Sequence, residues 1–391
     1  PMKADDYAKA YSRHRSSRRA ARKQRRNRIV GAVLTVLMLV AAALLYSWVS
    51  EPEPGPMARE TTPAGAKVFE RTAALPPLSL PADDAPHGSG MEWWYYNGIL
   101  NGPDNDRYAF HVAVFVANGL VKHTVMHTAL TDLQTGKRYA RQNRTGGMPA
   151  KGVANGFDFG REGWQVASAD GVHTVQAALD GASLTLRMKD GNEPIAHRAE
   201  GSATPGLLDF GDAGISYYYS RPRIATAGEI SIGGKPAVKV TGEVWFDHQW
   251  GEFDVTQLGW NWFALHLADG TDVMLYELFD REGRSVLTAG TLSDAKGSAR
   301  PLKAADIVLT PQKRWTSPHT GVEYPVEWQV KLPSGNFEVK PFIADSEFDS
   351  RETTRNIYWE GAVKVAGSQA GQGFVELSGY ERLKAPAAAA K

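Results

Sequence analysis

Cysteine is absent from the 391-residue chain, which excludes disulfides, thiolate metal sites and a lipid-modified cysteine. A body without disulfides must be held by its core, and roughly 300 residues suffice for that. Long helical periodicity is also scarce. Nor is there a Walker phosphate loop, a GxGxxG after a strand, an HExxH or a GxSxG, so the commonest signatures of nucleotide binding, zinc peptidase and nucleophile-elbow chemistry are missing.

Charge is unevenly placed. Residues 1–28 carry eleven Lys/Arg against Asp5 and Asp6, whereas the remainder holds 33 basic and 41 acidic residues, so a basic arm of +9 precedes a body of −8. Basic charge confined to an arm does not make a nucleic-acid surface on the folded body, and no nucleic acid is expected as partner. The uncharged run Ile29–Val49 follows. At ~1.5 Å per residue it reaches across the ~30 Å of a bilayer core as a helix, and it is longer than the apolar part of a signal peptide. Tyr46 and Trp48 at its far end suit a headgroup region. Cations on the near side place the arm in the cytoplasm. The expectation is a single-pass protein of a bacterial inner membrane with its body periplasmic.

Residues 50–86 contain eight prolines and few large apolar groups, the composition of a linker. From Met91 short alternating segments broken by Gly, Asn and Asp read as about sixteen antiparallel strands. The fold class expected is therefore all-β, as barrels or sandwiches. The division expected is an arm 1–28, an anchor 29–49, a linker 50–86, β domains 87–251 and 252–384, and a tail 385–391. The clearest hairpin spans 108–130, with Asn118-Gly119 as a two-residue turn. That pairing puts His123 and His127 on the face of Phe110, Val112, Val114 and Val116. Four residues of strand span ~13 Å, too far for both histidines to hold one ion, and no metal or other cofactor is expected.

Aromatic residues are concentrated. Four of the eleven tryptophans fall within 245–262, in VWFDHQWG and GWNWF, and EWWYYNG at 92–98 has a faint echo in YWEG at 358–361. Alternation places Trp245, Asp247 and Gln249 on one strand face and Phe246, His248 and Trp250 on the other. Aromatic residues at such positions also serve as core, and an Asp-His pair also serves to fix a turn.

These motifs, with SYYYSRPR at 216–223, GWNWFALHLADG at 259–270 and GFVELSGYERL at 373–383, resemble the carotenoid 1,2-hydratase (hydroxyneurosporene synthase) and AttH-like family of lipocalin-like predicted secreted hydrolases. The resemblance runs from about residue 85 to 383. It implies two lipocalin-like antiparallel β-barrels with a hydrophobic ligand in an apolar cavity. Some relatives are hydratases of carotenoid end groups, and AttH-like members are associated with ABC-type exporters. Asn261 stands where Asp is expected in many relatives, which removes one candidate acid.

Alkene hydration needs an acid, a stabilised carbocation and a guided water. Asp247 or Glu92 is the candidate acid, since a dry carboxyl keeps its proton at neutral pH. Trp93, Trp94, Tyr218, Trp245 or Trp262 would face the cation. His248 or His127 would orient the water. Tyr95, His123, Tyr217, Tyr219, Gln249, Trp250 and Trp260 complete the expected ligand-binding set, with the segments joined around one site. Two readings follow: a membrane-anchored binder of a lipid or isoprenoid-like molecule, or accessory subunit of a membrane complex such as an ABC-type permease; and a hydro-lyase.

Overall fold

A computed structural model describes residues 75–383. The segments expected to be arm, anchor and tail, and most of the expected linker, lie outside the described residues. Among those described, no helix is long and apolar enough to cross a membrane, and regular structure consists of strands and 3-10 turns.

Two antiparallel sheets make up the body, of thirteen and ten strands. The first is centred on β1 (Met91–Asn101), β2 (Arg107–Asn118), β3 (Lys122–Asp132), β4 (Arg138–Gly146), β5 (Gly214–Ile232) and β6 (Val238–Phe253), in the order β4-β3-β2-β1-β6-β5. Shorter strands continue beyond β5 from Ala182–Lys189 out to Ala150–Lys151. The second sheet is centred on β7 (Gly259–Leu267), β8 (Asp272–Phe279), β9 (Ile357–Gly367) and β10 (Gly371–Ser378), in the order β8-β7-β10-β9. No strand ladder joins the ends of either sheet among the described residues. The expected closed barrels are therefore corrected to curled half-barrels. Curling brings β4 back toward the far strands, where the Arg141 guanidinium donates to the Ala178 carbonyl at 2.8 Å.

Burial explains why some strands alternate in sequence and others do not. Val172–Leu179 and Ala182–Lys189 have one dry and one wet face and read in alternation. β1 is buried along nearly all its length, because each half-barrel fills its own concave face while a third apolar cluster lies between the sheets. In β5 the register shifts between Arg221 and Ile224, at Pro222, which has no N–H for a ladder.

The β2–β3 hairpin departs from expectation. Asn118 pairs with Lys122, so the connection is the three residues 119–121. One additional loop residue exchanges the faces of β3. Phe110, Val112, Val114 and Val116 sit opposite Leu130, Thr128, Met126 and Thr124, while His127 and His123 pair with Ala113 and Ala117 on the other face.

Candidate active site between the sheets

Residues paired across a ladder project to the same side, so the register generates rows of side chains. One row of the first sheet reads Ser220, Asp247, Tyr95, Ala113, His127, and the next reads Tyr218, Gln249, Trp93, Phe115, Val125. In the second sheet Tyr276, Trp262, Glu376 and Glu360 form a row. The two sets border a cavity of about 480 Å³ that opens at exposed Arg144, Thr256, Thr354 and Arg355.

Three carboxyls converge on this space, Asp247 and Glu360 buried and Glu376 half-buried on the strand paired with that of Glu360. Asp247 is held by the Trp245 indole N–H at 2.6 Å, the Tyr218 hydroxyl at 2.9 Å and the Ser220 hydroxyl. The Trp262 indole in turn donates to the Tyr218 oxygen at 2.9 Å. Burial pushes the Asp247 carboxyl up to about 7, although these three donors favour the anion. Glu376 accepts from the Trp260 indole at 3.1 Å, and burial, with a smaller push from Asp247, raises it to about 7. Glu360 accepts from the Tyr95 hydroxyl, and burial together with the facing Glu376 raises it well above the carboxylate range. His127 contacts the Tyr358 hydroxyl at 3.0 Å and the Thr353 hydroxyl at 2.8 Å, and burial lowers it to about 3, leaving it neutral.

The raised carboxyls impose a pH dependence on stability. In the unfolded chain they are ionised above about pH 4, whereas the fold keeps Asp247 and Glu376 protonated up to about pH 7. Between these values the folded state binds more protons, so stability falls as pH rises, by on the order of 3–4 kcal/mol per group. The melting temperature of Glu376→Gln relative to wild type is expected to climb from pH 4 to pH 8. A difference that stays constant across that range would show that Glu376 titrates normally.

The pleat divides the residues anticipated from sequence. Trp93, Tyr95, His123, His127, Tyr218, Asp247, Gln249, Trp260 and Trp262 line the cavity, and Trp245 is in the apolar cluster between the sheets. Glu92, Trp94, Tyr219, His248 and Trp250 point the other way, into the concave face of the first half-barrel, because they alternate with the cavity residues along β1, β5 and β6. Tyr217 stacks on Trp250 there, at 5.1 Å between ring centroids. The expected single site is thus two sites on opposite sides of one sheet. Asn261 also faces away from the cavity, bonded to Glu277 and Tyr380, so the missing acid at that position does not alter the carboxyl set. Glu360, Glu376, Tyr276, Tyr358 and Arg355 were not anticipated. The signal for the two glutamates was a lone acid inside otherwise apolar strands, Trp359-Glu360-Gly361 and Val375-Glu376-Leu377.

On the concave side His87 Nδ1 and His248 Nε2 each lie 2.8 Å from Glu92 Oε1. His87 stacks on Trp250 at 4.0 Å, and the His248 ring also contacts the Tyr219 hydroxyl at 3.2 Å. Burial alone would raise Glu92, but the histidine bonds outweigh it and hold the carboxyl below its usual range. This trio has the donor set of a divalent-cation site, yet hydrogen bonds already account for every donor. It fastens the segment ahead of β1 onto the half-barrel.

Fold and cavity together define an all-β protein of paired half-barrels with an acid-lined, aromatic-walled cavity between them. The AttH-like family matches residues 71–380, and the chain belongs to that family. Kievitone hydratase of Fusarium solani subsp. phaseoli is 22% identical over 323 residues, covering 78% of this chain and 88% of its own length. Among solved structures, a putative AttH from Nitrosomonas europaea is 27% identical with a TM-score of 0.71, covering 78% of this chain and 97% of its own. Kievitone hydratase from Nectria haematococca shares the fold at 18% identity and a TM-score of 0.63, over 78% of this chain and 94% of its own. Carotenoid hydration in particular, also implied by the sequence resemblance, finds no such support.

Proposed function

We propose that the cavity hydrates an alkene in a largely apolar, unsaturated molecule. The observation that carries this reading is the pair Asp247 and Glu376, two carboxyls raised to about 7 in one aromatic-walled space. Their surroundings assign different tasks. Asp247 accepts three hydrogen bonds that stabilise its anion, which suits a base. Glu376 accepts one, from Trp260, which suits an acid. Glu376 gives its proton to one alkene carbon, and the π pair forms the new C–H bond. The cation left on the other carbon faces aromatic rings such as Trp93 and Trp262. Water adds to it as Asp247 takes the departing proton. Proton return from Asp247 to Glu376 completes the cycle. A curated relative named as a hydratase supports the reaction class.

The test is incubation with prenylated phenols and isoprenoid alkenes in water carrying heavy oxygen, read by mass spectrometry. A product one labelled water heavier is expected. Recovery of tightly bound but unchanged alkene would sink the hydratase reading and leave that of a carrier. The location rests on the basic arm and the apolar run 29–49: protease outside spheroplasts is expected to release the body, as exposed linkers are preferred nicking sites. Cleavage only from the cytoplasmic side would reverse the orientation.

A further inference from the structure

Among the described residues five large apolar side chains are exposed. The two most exposed are consecutive: Leu120 is fully exposed and Val121 is 65% exposed, against 36–46% for Leu75, Val286 and Val308. Both lie in the 119–121 connection of the β2–β3 hairpin. Directly below this tip Ala117 and His123 pair with one another and both line the cavity, so the tip stands at the cavity mouth. Cations surround it. Lys122 follows Val121, Arg144 reaches His123 at 3.0 Å, and Arg144 and Arg355 are exposed lining residues of the mouth. A fully exposed leucine contributes nothing to the folded body by burial, and hairpin tips normally take polar residues or glycine.

We propose that this tip docks on an anionic phospholipid bilayer. Leu120 and Val121 enter the acyl boundary, Lys122, Arg144 and Arg355 meet the phosphates, and the cavity opens onto the membrane from which it takes its apolar ligand. The proposal goes beyond the reaction, since a carrier would load by the same route.

The chain has no cysteine, so Leu120→Cys supplies a single thiol for an environment-sensitive fluorophore. The full chain is reconstituted in vesicles of phosphatidylglycerol and phosphatidylethanolamine. Blue-shifted emission is expected, with about twofold or greater quenching by acyl-chain nitroxide lipid, as befits a group at the acyl boundary. The same label at Val286→Cys is expected to stay in water. An anchor alone would hold the body near the vesicle without burying this tip, so equal signals at the two positions, or an unquenched label at 120, overturn the proposal. As a second reading, Leu120→Asp combined with Val121→Asp is expected to slow transfer of parinaric acid from these vesicles, while transfer from detergent micelles is unchanged. Equal slowing from both would show damage to the cavity rather than loss of docking. Neither measurement depends on turnover, so failure of docking and failure of the hydratase reading are distinguishable.

Discussion

Glu376→Gln is expected to lower kcat for hydration by about 10²–10⁴, the range that general acid catalysis supplies, with KM nearly unchanged. Glutamine keeps the volume and can still accept from the Trp260 indole, but it has no acidic proton to give. Because Glu376 is raised to about 7 mainly by burial, the variant is expected to be at least as stable as wild type at pH 8. Asp247→Asn is expected to lower kcat by a comparable factor through loss of the base. The reaction needs Glu376 protonated and Asp247 ionised, so kcat should follow a bell-shaped pH profile. Each variant should lose one limb of it. Wild-type turnover by Glu376→Gln would remove this residue as the acid and return the role to Asp247. If Asp247→Asn unfolds the protein instead, the carboxylate serves to join β5 and β6, as its bonds to Tyr218 and Ser220 permit.

The largest loss of stability is expected from Arg221→Met. The Arg221 guanidinium meets Asp84 in a two-pronged contact of 3.0 Å and 3.0 Å, and its Nε lies 2.9 Å from Asp190. It packs over the rings of Tyr219 and Phe246, at 5.1 Å and 5.7 Å from their centroids. Asp84 belongs to the 3-10 turn Ala82–Asp84 in the segment ahead of β1, so this pair ties that segment to β5. Methionine fills the space but strands a buried carboxylate, which typically costs about 3–5 kcal/mol. In a body of this size that corresponds to a fall in melting temperature of roughly 5–8 °C. Proteolysis near residues 75–90 should precede global unfolding, since the segment keeps the His87–Glu92 contact but loses its ion pair to β5. An unchanged melting temperature would mean that Asp84 and Asp190 find water as an equal partner.

Much of this was written in local sequence. Hydrophobic alternation and turn residues identify the strands at 172–179 and 182–189, where one face is wet. The period of two also places Trp245, Asp247 and Gln249 together, and aromatic density draws attention to β1 and β6. The β2–β3 hairpin shows the limit. Asn118-Gly119 suits a two-residue turn, but β3 pairs so that the connection has three residues, and this exchanged the faces assigned to His123 and His127.

What the sequence by itself determined is the class of structure and the pairing of neighbours into opposite faces, because both follow from the backbone period and from local propensity. Which face borders the cavity was decided only by the tertiary structure. In β1, β5 and β6 both faces are buried at the centre, so no polar side marks the outside, and Glu92 reads as well as Asp247. Docking of the second half-barrel resolves this. It brings Glu360 and Glu376 from the far end of the chain to Asp247 and removes the water that would keep all three ionised. A carboxyl's proton affinity depends on what surrounds it in space, and Glu360 and Glu376 meet Tyr95 and Trp260, each more than a hundred residues away.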